Sequence, residues 1–326
     1  MGLDIDTVAT SARAASDRIS ELIRETPLVL SEALSAEAGC EVYLKLENRQ
    51  ITGSFKLRGA SNRLLTLSEA ERRRGAVAAS SGNHGAAVAC ALQKLGEQAI
   101  IFVPEQTSSA KVDAIRRYGG DVRYFGTDGL DTEQHARQYA AEQDMLYLSP
   151  YNDAEVIAGQ GSCGVEILQQ LPDVDCAYIA VGGGGLMGGV GSVLKHHNPN
   201  VRLVACQPAA SAVMAHSVDA GRILDLESGP TLSDGTAGGI EADAITFELC
   251  RQLCDEFVLV SEAEIAAAMR LYQRSEGEAI EGAAGVAIAA LMSSTRPAAG
   301  QKVVVIICGG NVSDATLASI QVEGDA

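Results

Sequence analysis

The stretch Cys176-Ala177-Tyr178-Ile179-Ala180-Val181-Gly182-Gly183-Gly184-Gly185-Leu186-Met187-Gly188-Gly189-Val190 joins an apolar run to a helix-like run through four consecutive glycines. Ala177–Val181 shows no polar alternation, the pattern of a central parallel strand buried on both faces. Residues without side chains let the backbone wrap closely round an anion, and the N–H groups at a helix start complement its charge. Gly183, Gly185 and Gly188 also satisfy G-x-G-x-x-G, so a dinucleotide-binding fold is a rival reading. That rival expects an acidic residue at the end of the next strand, to hold a ribose. The next strand-like run is Arg202–Cys206, and Gln207 follows it. Four glycines in a row suit a compact single phosphate better than a pyrophosphate turn, and a purely structural tight turn is the plain alternative.

Working outward, strand-like runs recur at Val42–Leu46, Gly75–Ala79, Gln98–Val103, Asp121–Phe125, Met145–Leu148, Cys176–Val181, Arg202–Cys206, Phe257–Val260 and Lys302–Cys308. Helix-like segments separate most of them: Ala86–Lys94, Ser109–Arg117, Thr132–Glu142, Gln160–Gln170 and Glu262–Arg274. A further amphipathic run covers Ile5–Ile23, and Pro27 closes it. The alternation predicts an α/β fold of doubly wound, mostly parallel sheets. With 326 residues, 47% of them hydrophobic, the chain can bury two domains or one domain with a large insertion. There is no internal repeat, and only a short helix-like tail, Ser313–Ile320, follows the last strand, which leaves no room for a regulatory domain there.

Three further stretches lie at strand ends. Thr52-Gly53-Ser54-Phe55-Lys56-Leu57-Arg58-Gly59-Ala60 follows the run ending at Asn48 and leads into a helix. Thr52 and Ser54 are capping types, which places Lys56 in the first turn. An amine held beside a positive helix end and partly desolvated loses its proton readily and becomes a nucleophile for carbonyl cofactors. A surface lysine at a helix start is the plain alternative. Ser80-Ser81-Gly82-Asn83-His84-Gly85 forms a polar strand-to-helix turn suited to a carboxylate, or else a simple N-cap. No oriented Ser–His–acid set accompanies it, so hydrolase chemistry is set aside. Cys308-Gly309-Gly310-Asn311 ends the last buried strand, where Cys308 is either a site thiol or a packed core thiol. Ligands of parallel sheets sit at the carboxyl ends of strands, so Lys56, Ser81, Gly182–Gly185 and Cys308 converge on one site.

Composition narrows the partners. With 25 Lys+Arg against 42 Asp+Glu the formal charge is −17, which repels phosphate backbones and anionic lipid, so neither nucleic acid nor membrane is expected. No apolar run approaches the ~18 residues of a span, and the acidic N-terminus lacks a signal peptide's apolar core. Eight cysteines without a framework spacing read as reduced thiols of a soluble, cytoplasmic protein. Cys250 and Cys254 lack the second ligand pair of a zinc site.

Taken together, LKLENRQITGSFKLRGA at 44–60, SSGNHGAA at 80–87, VIAGQGS at 156–162, GGGGL at 182–186 and CGGN at 308–311 resemble the fold-type II, tryptophan-synthase-like pyridoxal-phosphate enzymes. Within them the chain resembles the serine/threonine dehydratase and serine racemase family, over nearly its whole length. The resemblance implies a large cofactor domain, residues 1–52 and 149–326, with a smaller domain, 53–148, inserted. It implies pyridoxal 5'-phosphate as cofactor, bound covalently by Lys56 beside Phe55, with Asn83 at the ring hydroxyl. Gly182, Gly183, Gly184, Gly185 and Leu186 match the phosphate loop, and Cys308 matches the position facing the ring nitrogen. Ser80, Ser81, Gly82 and His84 match the loop receiving the substrate carboxylate, and Glu281 matches an acid near the ring, or else caps a helix. A homodimer is the usual assembly.

The implied reaction is β-elimination of a threonine- or serine-like amino acid to a 2-oxo acid and ammonia, with amino acid racemisation as the alternative. Lys56 would take the Cα proton while the β-hydroxyl leaves with acid help from the cofactor phosphate. A thiol at Cys308 cannot protonate the ring as a carboxylate would, and the weaker electron sink suits elimination. Two departures stand out. The family's divalent-cation site begins with a Glu before a Pro and includes an Asp, whereas the aligned run here is Gln207-Pro208-Ala209-Ala210-Ser211-Ala212-Val213, so no activating metal is expected. Ser81 matches the racemase residue on the opposite substrate face, where many dehydratases carry Ala. The run Thr231–Glu241, with Gln207-Pro208, is closer to dehydratase-like branches assigned to hydroxyectoine breakdown or phenylserine than to an ordinary threonine dehydratase.

Overall fold

Apolar strand segments and helical segments alternate along the chain, and in the computed structural model they form two mostly parallel sheets with helices packed on both. The structure describes residues 3–293 and 297–322. The strands are β1 (Leu28–Leu30), β2 (Glu41–Lys45), β3 (Ala76–Ala79), β4 (Ala99–Val103), β5 (Asp121–Tyr124), β6 (Leu146–Tyr147), β7 (Cys176–Ala180), β8 (Arg202–Pro208), β9 (Glu256–Val260) and β10 (Lys302–Ile306). Six make one sheet in the order β1-β2-β10-β7-β8-β9, and four make a second in the order β5-β4-β3-β6. All pairs are parallel except β1 with β2.

The central strands β7 and β10 bury nearly every side chain, as their lack of polar alternation predicts. Crossovers that return each strand in the same direction bring all carboxyl ends of a sheet to one edge. The second sheet is drawn wholly from residues between Ala76 and Tyr147, inside the segment expected to be inserted.

Several boundaries differ from the sequence reading, each for a local reason. The helix expected near Ala86 begins at Asn83, which places His84 in its first turn. Thr52 and Ser54 do not cap the helix Lys56–Leu65; its N-cap is Phe55, without a side-chain bond. That backbone is instead tied to the last strand, through a bridge between Ser54 and Gly309 and the bond from Phe55 N–H to Cys308 O at 3.1 Å. The first helix stops at Ile19, short of Ile23. Gly282–Ser293 forms a helix buried almost all round. An apolar stretch of that kind has no face to betray its period.

Candidate active site

Each of the four stretches singled out above lies at a carboxyl strand edge, and they meet in the cleft between the sheets. Val181 directly follows β7 and gives its N–H to Cys206 O (2.9 Å). The helix Gly185–His197 starts four residues later from Gly184, whose φ of 86° is the left-handed conformation that glycine adopts without strain. Gly188 N–H is bonded back to Gly184 O (2.8 Å), so the amides of Gly185, Leu186 and Met187 form the free first turn. No acidic residue occupies that turn. A Cβ at Gly183 would lie 2.4 Å from the Tyr151 ring, so nothing larger than glycine fits.

Lys56 opens its helix half-buried, and its Nζ donates to Pro150 O at 3.2 Å. Burial pulls its pKa down to about 8, against the partial opposition of Cys308 and Glu281. Its Nζ stands 5.2 Å from the centroid of the Phe55 ring. Pro150 is joined to Tyr151, whose ring covers Gly183, so two adjacent residues carry the contacts to the amine and to the glycine loop.

The 80–85 turn supplies the opposite wall. Ser80 Oγ accepts from Gly82 N–H (3.2 Å), and Gly82 is open to solvent. Ser81 is half-buried and has no hydrogen-bond partner among the described residues. Asn83 donates its amide to both Glu281 oxygens (3.1 and 2.8 Å) and accepts from Asn311 Nδ2 (2.7 Å). His84 lies in the first turn of the helix that follows this turn. Its ring is buried with Nε2 on Leu148 O (2.8 Å), and burial, reinforced by the Lys56 charge, pushes its pKa to about 3. It is a neutral anchor tying the turn to the segment after β6.

Cys308 is buried behind this wall with Sγ 3.8 Å from Glu281 Oε1. Burial first, and the nearby Glu281 second, hold the thiol protonated. Glu281 itself is pushed up to about 7, chiefly by burial and also by Asp234, while donors from Asn83, Asn311 and Cys308 pull the other way.

A family model described as "Pyridoxal-phosphate dependent enzyme" matches residues 19–309. The chain belongs to the pyridoxal-phosphate-dependent enzyme family. Among its relatives in that family, a putative threonine dehydratase of Sinorhizobium fredii is 39% identical over 303 residues, 93% of this chain and 91% of that one. An L-threonine ammonia-lyase of Thermotoga maritima is 39% identical over 300 residues, 92% of this chain and 74% of that one. Among solved structures, the processed form of threonine deaminase isoform 2 from Solanum lycopersicum superposes with a TM-score of 0.93 at 34% identity, covering 100% of this chain and 95% of that one. Maize serine racemase superposes with a TM-score of 0.91 at 31% identity, covering 99% and 98%.

The site fits the family's cofactor on its own chemistry. Bare backbone and a free helix start answer a phosphate, a depressed lysine answers an aldehyde, and the buried hydroxyls of Thr52 and Ser54 have no partner among the described residues. Gln207 also answers the rival dinucleotide reading. It is buried, its Nε2 donates to Val181 O (3.0 Å) and its Oε1 accepts from Ala215 N–H (2.8 Å), so no acid stands where a ribose would need one. Cys250 and Cys254 are free thiols, and among the described residues no group of His, Cys, Asp or Glu could hold a metal ion.

Two participants carried no local signal. Tyr151 follows a proline in an irregular segment, and only the fold lays its ring on Gly183. Asn311 closes the CGGN stretch with no pattern of its own to mark it, yet its side chain links Asn83 to Thr52 O (2.9 Å).

Proposed function

We propose that this chain is a pyridoxal-phosphate-dependent ammonia-lyase that converts a β-hydroxy L-amino acid of the threonine or serine kind to a 2-oxo acid and ammonia. The observation that carries the reading is the half-buried Lys56 amine, brought to a pKa of about 8 and bonded to Pro150, next to the tyrosine whose ring packs on Gly183. Relatives named threonine dehydratase or threonine ammonia-lyase, 35–39% identical over most of the chain, support the substrate class. Bound pyridoxal phosphate supplies an aldehyde for the substrate amine and a ring that takes up the electrons freed at Cα.

The chain's own residues do the rest. Gly182, Gly183, Gly184, Gly185 and Leu186 hold the phosphate by backbone N–H groups at a positive helix end. Phe55 flanks the lysine, and Asn83, fixed between Glu281 and Asn311, would meet the ring hydroxyl of the bound cofactor. Ser80, Ser81 and Gly82 offer the turn that takes the substrate carboxylate. Lys56 in its neutral form removes the Cα proton, a task that needs a base with a pKa close to the working pH. Cys308, kept protonated, places no counter-charge on the ring nitrogen, which favours prompt loss of the β-substituent.

Ser81 supports a second reading, amino acid racemisation. Its hydroxyl is uncommitted, and a serine racemase is among the matching structures. A panel of β-hydroxy amino acids assayed for 2-oxo acid tests the first reading, and L-serine assayed for pyruvate and D-serine separates the two. We expect pyruvate to exceed D-serine. D-serine as the main product would move the assignment to racemase, and no 2-oxo acid from any member of the panel would end the lyase reading.

The domain division at 53–148, a homodimeric assembly and a cytoplasmic setting belong to the same proposal. The second sheet, confined to 76–147, supports the division. Eight unpaired cysteines support a reducing compartment.

A further inference from the structure

Between Ala220 and Ile245 the chain forms no helix or strand. Irregular connections of this length are uncommon in compact domains and are usually functional. The far part of this loop lies on the candidate site. A Cβ at Gly182 would be 3.0 Å from Thr236 Cα, and one at Gly235 would be 3.7 Å from a Glu281 oxygen. The loop is also tied across the cleft to helices that pack on the second sheet.

Two ion pairs make that tie. Lys111, on the helix Ser109–Arg117, meets Asp234 at 3.1 Å, with both side chains largely exposed. Exposed pairs of that kind contribute little. Arg137, on the helix Gly129–Glu142, meets Glu241 at 2.8 Å in a more sheltered setting. The Arg137 guanidinium lies 4.2 Å from the centroid of the Tyr147 ring and is steered from behind by Glu133 (2.7 Å).

Glu241 does more than receive this arginine. Its carboxylate accepts from Asn152 Nδ2 (3.0 Å) and Ser149 Oγ (3.4 Å), on either side of Pro150, the residue that holds Lys56. Its backbone N–H donates to Tyr151 Oη (2.9 Å), and the ring of that tyrosine covers Gly183 while its Cα and Cβ lie against Gly185. A continuous chain of contacts therefore runs from the helix bearing Arg137 to the glycine loop.

We propose that Arg137 and Glu241 are positioning residues, a clasp across the cleft that holds the 231–241 loop shut and, through Tyr151, keeps the glycine loop at the height the cofactor phosphate requires. This rests on the assignment of residues 182–186 to that phosphate. Neither residue touches the reacting atoms. Their effect is on how long the cofactor stays and how tightly substrate is enclosed, so KM rises while kcat changes little.

The test uses the full-length holoenzyme. Release of pyridoxal phosphate after dilution and hydrogen exchange at the amides of 182–187 are measured for the native chain and for Arg137→Met, Glu241→Gln, the double variant, Arg137→Lys and Glu133→Gln. Arg137→Met and Glu241→Gln are each expected to speed release by about fivefold, the low end for coupled sites. Exchange at 182–187 should rise in step while the unfolding midpoint stays within a few degrees. The double variant should be no worse than the poorer single one, since both break one linkage. Arg137→Lys should restore most of the effect, and Glu133→Gln, which touches Arg137 but not Glu241, should change release less than either. Additive effects in the double variant, or release and exchange at native values in both single variants, would overturn the clasp. If addition of pyridoxal phosphate leaves exchange at 182–187 unaltered in the native chain, the phosphate assignment itself fails and the clasp falls with it.

Discussion

Two lysines lie close to one helix start, Lys45 before it and the half-buried Lys56 in its first turn, and their surroundings could hardly differ more. Lys45 is fully buried and donates to Glu166 (2.6 Å) and Thr26 O (2.7 Å). Glu166 and Glu47 in turn receive Arg58, two residues beyond Lys56, through four bonds of 2.7–2.8 Å. Two cations and two carboxylates are thus neutralised and hydrogen-bonded. Burial alone would raise the Glu47 pKa, but Arg58, with Lys45 and Thr26, more than reverses this and leaves it lowered. On the other side, Lys56 has one carbonyl partner, and Glu281 is met mainly by neutral donors. There burial wins, and the amine and the acid are pushed towards each other, to about 8 and about 7. Paired charges give a rigid floor, and unpaired ones beside it give groups that can change protonation near neutral pH.

Breaking the floor should have the largest effect. Arg58→Met leaves two buried carboxylates facing one lysine, and denaturant unfolding should show a loss of about 3–5 kcal/mol. A loss under 1 kcal/mol would mean the quartet is not the anchor of this helix.

Next is the unpaired acid. Glu281 binds its proton more tightly folded, at about 7, than at its ordinary value of 4.5. Between these values the native state holds more protons than the unfolded one, so stability falls as pH rises. Removing the charge with Glu281→Gln should therefore stabilise the cofactor-free protein at pH 8, by on the order of 3 kcal/mol. The gain should fade as pH drops through 7 towards 4.5. A constant difference across that window would contradict the raised pKa.

The amine gives a kinetic counterpart. Only its neutral form attacks an aldehyde, so cofactor uptake by the cofactor-free enzyme should quicken about tenfold per pH unit below 8 and level off above it. The smallest expected effect is none at all. Magnesium or calcium added to chelator-treated holoenzyme should leave activity unchanged, because Gln207 fills its place with two amide hydrogen bonds.

The same contrast explains what could be read beforehand. Lys56, the 80–85 turn, the four glycines and Cys308 are legible because each stands at a strand end, a position that apolar runs mark clearly. The α/β architecture follows from those runs. The paired quartet was not legible, since Arg58 and Glu166 lie 108 residues apart and nothing local distinguishes them from surface charges. Glu281 and Asn311 converge on Asn83 only after the sheets are assembled. Thr52 and Ser54 look like caps by residue type, but the pairing of this backbone with the last strand overrides that local preference. His84 reads as a donor by type, and only the folded chain shows its Nε2 bonded to Leu148 O.

The most direct test of the central claim is to reduce the holoenzyme with borohydride and map the modified lysine by peptide mass spectrometry. The account predicts a pyridoxyl group on Lys56 alone, with Lys45, fully buried and paired, unmodified. A label on any other lysine, or none at Lys56, would contradict it.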